Sequence, residues 1–90
     1  MEFEWDEAKS AANLAKHRIS FETAVGAFGG PLLRRNDTRF DYGEERWLAL
    51  GEIDNVVIAI AYTMRGESIR VISARKANRN ERQAYENYRG

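Results

Sequence analysis

Residues Val56–Arg75 read VVIAIAYTMRGESIRVISAR, and this stretch decides the fold. Val56–Thr63 is almost wholly apolar and rich in β-branched residues, as expected of a strand in the middle of a sheet. Arg65-Gly66 then supplies a tight turn, and Glu67–Arg75 returns as a second strand. Upstream, Glu45–Ile53 carries Trp47, Leu48 and Leu50 and leads through Asp54-Asn55 into Val56, so three consecutive strands form an antiparallel meander. Simple alternation puts Ile69, Val71, Ser73 and Arg75 on one face of the last strand, and Arg70, Ile72 and Ala74 on the other.

Helices flank this meander. Phe3–Trp5 reads as a brief strand. Asp6 is placed to cap a helix that runs to about His17, with Ala8, Ala11, Ala12 and Ala15 at helical spacing. Ser20 caps a second, short helix, Phe21–Phe28, which Gly29-Gly30-Pro31 ends. Leu32–Arg35 reads as a short strand and Asn36–Gly43 as a polar turn. Asn78 or Asn80 caps a last helix reaching about Tyr88. The expected class is α+β, a single domain over residues 1–90, with two N-terminal helices and a C-terminal helix packed on one face of the antiparallel meander.

Composition narrows the function. There is no cysteine and a single histidine, so disulfides, thiolate sites and multi-histidine metal sites are ruled out, and neither metal nor cofactor is expected. No apolar run is long enough to span a membrane, and the acidic start MEFEWDEAK lacks a signal-peptide core, which predicts a cytoplasmic protein. Lys+Arg and Asp+Glu balance at 14 each, but unevenly along the chain. Residues 1–64 hold 7 basic against 11 acidic side chains; residues 65–90 hold 7 against 3. A basic C-terminal third can attract a polyanion, or it can pair with the acidic remainder in the fold.

Arginines at the ends of secondary-structure elements suit phosphate, because each guanidinium presents a planar fork of donors. Arg65 lies at the turn and Arg75 at a strand end, with Lys76 and, on the last helix, Arg82 close in sequence. His17 is the one side chain of a type suited to proton transfer near neutral pH, and it sits between Lys16 and Arg18 at a helix end. Glu45 and Arg46 open the first long strand and suit a base and a phosphate clamp, or simply a polar strand edge. No glycine-rich phosphate loop is present.

Several pieces occur in order: Trp5-Asp6-Glu7-x-Lys9, Asn13, Lys16-His17, Ser20-Phe21-Glu22, Gly43-Glu44-x-Arg46, Tyr62-Thr63-x-Arg65-Gly66, Ile69 to Ala77, and Glu81-Arg82-x-x-Tyr85. Together they resemble the BrnT family of ribonuclease toxins from type II toxin–antitoxin systems. The resemblance covers nearly the whole chain. It implies a RelE-like fold and RNA cleavage that arrests translation. It also implies a BrnA-like antitoxin with a ribbon-helix-helix DNA-binding part, in complexes of two toxins with two antitoxins, so that DNA is met only through the antitoxin. Arg18 stands where the family usually has glycine, and Thr23 where glutamate is common. The fold does not fix which residues act. Read from the residues, Arg65 and Arg75 suit stabilisation of the phosphate, Glu45 a base and His17 an acid, with Lys9, Arg46, Lys76 and Arg82 as RNA contacts, and the scarcity of metal ligands favours metal-independent attack of the 2′-hydroxyl. The alternative is a non-catalytic RNA- or protein-binding module, a degenerate toxin acting through antitoxin pairing and operon control.

Overall fold

The computed structural model describes residues 1–90. In chain order the elements are β1 (Glu2–Glu4), α1 (Glu7–His17), α2 (Phe21–Ala24) continued by a 3-10 turn (Val25–Gly29), β2 (Leu33–Asp37), β3 (Arg46–Ile53), β4 (Val56–Arg65), β5 (Ser68–Lys76) and α3 (Arg79–Arg89). They form a sheet of order β1-β5-β4-β3-β2, with the apolar β4 at its centre as its composition requires. Asp54 and Asn55 both take positive φ in the β3–β4 turn, at 48° and 66°, the pattern of a two-residue hairpin that matches the strand twist. No helix is long and apolar enough to cross a membrane.

Three features depart from the expected fold. The sheet is mixed, not purely antiparallel: β1 runs parallel to β5, with Phe3 opposite Ile69. The helices also cover both faces rather than one. Ile58 and Ile60 pack against Phe21, Ala24 and Ala27 of the α2 layer. Val57 and Ala59, pointing the other way, pack with Leu50, Ala77 and Tyr85 of the α3 layer. A strand apolar at successive positions has two faces to bury, and helices on one side could bury only one of them. Tyr85 anchors α3, being 1% exposed and donating its hydroxyl to the Pro31 carbonyl at 3.0 Å.

A β-bulge is the third difference. Across β4, Thr63 faces Arg70 and Tyr62 faces Val71, but the next residue, Ala61, faces Ser73, so Ile72 is the extra residue. The alternation restarts beyond it. Arg70, Ser73 and Arg75 therefore share the α3 face, whereas unbroken alternation would separate Arg70 from Arg75.

The N-terminal layer is fixed by capping and by one buried amide. Asp6 accepts from the Ala8 and Lys9 amides at 2.8 and 3.2 Å, and Ser20 accepts from Thr23 at 3.1 Å. Asn13, 8% exposed, bonds both backbone groups of Ala74: its Nδ2 donates to the carbonyl at 2.7 Å and its Oδ1 accepts from the amide at 3.2 Å. The same Nδ2 donates to the Ile19 carbonyl at 2.7 Å. Asn13 thus closes the edge of β5 beyond the short β1. Arg18 ends α1 in the left-handed conformation, φ 64° and ψ 22°, which explains why glycine suits that position.

Candidate nucleic-acid interface

Strand pairing assembles the arginines. Residues directly opposite one another share a face, so the α3 face carries, row by row, Arg65 with Ser68, then Asp37–Arg46–Thr63–Arg70–Glu4, then Arg35–Leu48–Ala61–Ser73. The next row, Leu33–Leu50–Ala59–Arg75, meets α3. Between the Arg70 row and the Arg75 row the floor is small on β4 and β5, Ala61 and Ser73, so that half of the face forms a shallow trough with a guanidinium on each side, bounded on β3 and β2 by Leu48 and Arg35. Rows two residues apart are roughly 6.6 Å apart along a strand, so the trough is on the order of 13 Å across.

Each of several arginines carries a carboxylate. Arg75 is held most tightly: its Nη1 and Nη2 reach Glu81 Oε1 and Oε2 at 2.7 and 3.0 Å, a fork-to-fork pair. The Arg75 guanidinium holds the Glu81 carboxyl below its ordinary range, against the opposing effect of burial, and Glu81 in turn raises Arg75. Glu81 also completes the capping box of α3, accepting from the Asn78 amide at 2.9 Å while Asn78 Oδ1 accepts from the Glu81 amide at 2.8 Å. Arg70 pairs with Glu4 at 2.8 Å. Glu44 stands between Arg46 and Arg65, at 3.7 and 3.9 Å, too far for a hydrogen bond to either. Arg46 lies over the Tyr42 ring at 4.0 Å, and its Nε is buried with no hydrogen-bond partner.

Of the residues expected from the sequence, Arg65, Arg75 and Arg46 come to this one face. Arg82 sits on α3 beside Glu81 and donates to the Ala77 carbonyl at 3.1 Å. Lys76 lies opposite Ile58 and so points to the other face from Arg75. Lys9 and His17 belong to α1, packed with α2 against the opposite side and outer edge of the sheet. No hydrogen bond or ion pair links His17 to an arginine. Glu45 is exposed, and its backbone carbonyl accepts from Thr63 Oγ1 at 2.6 Å. Alternation carries its side chain to the Trp47 side, away from Arg46.

Sequence reading missed Arg35, Arg70 as a member of this face, and the carboxylates Glu44 and Glu81. The recoverable signal for Arg35 was its spacing from Leu33 in Leu33–Asp37. For Glu81 it was the Asn78-x-x-Glu81 capping box. For Glu44 it was the motif Gly43-Glu44-x-Arg46, which sets the carboxylate two residues before Arg46.

A family model described as "Ribonuclease toxin, BrnT, of type II toxin-antitoxin system" matches residues 5–81. The chain belongs to the BrnT family. The match takes in α1 to the first turn of α3, and so includes the whole arginine face. No curated protein matches the chain. As a BrnT ribonuclease toxin it has RNA as its substrate and an antitoxin as its partner.

Proposed function

We propose that this BrnT chain cleaves RNA without a metal ion, on the trough between Arg46, Arg65, Arg70 and Arg75. The 2′-hydroxyl oxygen attacks the adjacent phosphorus as its proton passes to a carboxylate. The P–O5′ bond breaks and the 5′-oxygen takes a proton from water. The products are a 2′,3′-cyclic phosphate and a 5′-hydroxyl. Negative charge grows on the phosphate oxygens in the transition state, and preorganised cations there are usually the largest catalytic contribution.

The observation that carries this reading is the shared face of Arg46, Arg65, Arg70 and Arg75, set by strand register and by the bulge at Ile72. Glu44 is the carboxylate between two of these arginines and is assigned the proton-accepting role. His17 and Glu45 lie off the face and receive no role in the step. Such a site binds DNA but requires the 2′-hydroxyl to cut. The partner is a BrnA-like ribbon-helix-helix antitoxin, two copies with two toxins, acting in the cytoplasm.

Cleavage of RNA in chelator, comparing parent with Arg65→Ala and mapping the product ends, tests the proposal. Loss of one charge-stabilising donor lowers the rate by about 10²–10³. Cyclic-phosphate ends from the parent support it. Cleavage that requires added divalent metal refutes the metal-free step. RNA bound but never cut, free or on ribosomes, indicates the non-catalytic binding module.

A further inference from the structure

A cavity of about 450 Å³ opens beside the trough, between the β2–β3 end of the sheet and the first half of α3. Leu48, Leu50 and Ala84 give it apolar walls, while Arg35, Asn80 and Glu81 form its polar side. Its volume falls in the range of small-molecule sites. Arg35 stands near enough to Glu81 to lower that carboxyl but makes no ion pair with it. Asn80 is exposed and makes no side-chain hydrogen bond within the protein. Its neighbour Asn78 has its Oδ1 committed to the Glu81 amide. Two polar side chains with spare hydrogen-bonding capacity thus line an apolar slot that opens onto a phosphate-binding face.

We infer that this cavity holds one unpaired purine base of the RNA whose backbone lies along the arginine trough. The inference rests on the proposed RNA-binding face. A flat base with two apolar surfaces matches the Leu48/Leu50 and Ala84 walls, and aromatic or apolar packing of a splayed-out base is the usual mode of reading single strands. Both purines present N7 as an acceptor beside an exocyclic group, the edge that an asparagine amide or an arginine fork reads in pairs. A pyrimidine lacks that edge. Glu81 links the two sites: it lines the cavity and holds Arg75 at the trough's rim.

Binding of non-cleavable 2′-O-methyl oligoadenylate and oligouridylate, followed by fluorescence anisotropy, tests this without requiring catalysis. The parent should bind oligoadenylate about tenfold tighter, the effect of one well-made paired contact. Asn80→Ala removes the amide, and Ala84→Phe fills the cavity from an exposed helix position that does not endanger folding. Both variants should bind the two oligomers equally, at the parent's oligouridylate affinity. Equal binding by the parent overturns the inference. A parent-like preference in Ala84→Phe also overturns it. If the parent shows the preference but cuts no RNA, the cavity assignment stands and the cleavage proposal fails. Cutting without the preference gives the reverse.

Discussion

Asn13→Ala tests the reasoning about the β5 edge most directly. The side chain makes three hydrogen bonds to main-chain groups in a site 8% exposed. At about 1 kcal/mol net for each bond, its loss costs about 3 kcal/mol, and more if water cannot reach the Ala74 amide and carbonyl. A single domain of this size has a total stability of about 5–15 kcal/mol. The variant should therefore melt about 12–24 °C lower. Urea and thermal unfolding followed by circular dichroism measure both quantities. Asn13→Asp serves as a second probe. It keeps an acceptor for the Ala74 amide but turns a second oxygen toward two carbonyls, so it should be no more stable than the alanine variant. A loss below about 1 kcal/mol in Asn13→Ala would refute the edge-closing role, since that is the value of a single ordinary bond.

Other outcomes follow from single contacts. Arg18→Gly should gain roughly 0.5–1 kcal/mol in urea unfolding, because it relieves a left-handed arginine while loosening the unfolded chain. Gly51→Ala should lose about 1–3 kcal/mol, since the new methyl would stand 2.9 Å from both Ala27 Cβ and Leu32 Cδ2. Glu81 has its acidity strengthened by Arg75 in the folded state, so it adds stability above its unfolded pKa and withdraws it as pH falls through the lower folded value. Glu81→Gln should accordingly flatten the fall in melting temperature below the ordinary glutamate range, about 4.3. Arg65→Ala should reduce the slope of log affinity against log salt for single-stranded RNA by about 0.7, one phosphate contact, as titrations at several salt concentrations would show.

The sequence made the meander legible because β4 and its two turns are marked locally, by an apolar run and by Asp54-Asn55 and Arg65-Gly66. Caps at Asp6 and Ser20 were equally plain, and the last cap was narrowed to Asn78 or Asn80, of which Asn78 takes the role. The parallel pairing of β1 was not, because Glu2–Glu4 is three residues long and its partner lies at the far end of the chain. The placement of α3 had a readable cause, the two-sided apolarity of Val56–Thr63, but its sidedness depends on how Tyr85 docks. The arginine face was only half visible. Guanidiniums near strand ends could be named from sequence, yet which of them share a surface depends on Ile72, whose bulge no residue type announces. His17 shows the opposite limit: its chemistry recommended it, and the packing of α1 takes it elsewhere.

The carboxylates on the arginine face bear on how RNA binding should respond to ions. A lysine or arginine in open water that meets a phosphate displaces cations condensed on the RNA, and their release drives binding. Arg70 and Arg75 instead carry tethered counterions, Glu4 and Glu81, which cannot diffuse away. A phosphate that displaces Glu81 from Arg75 frees that carboxylate to take up a cation in place of the one the phosphate releases, so that contact adds little to the salt dependence and favours ligands that match the guanidinium fork. Arg65, half-exposed and 3.9 Å from its carboxylate, behaves more like a free cation. The protein thereby presents a basic face to a correctly shaped polyanion while its formal net charge stays at zero.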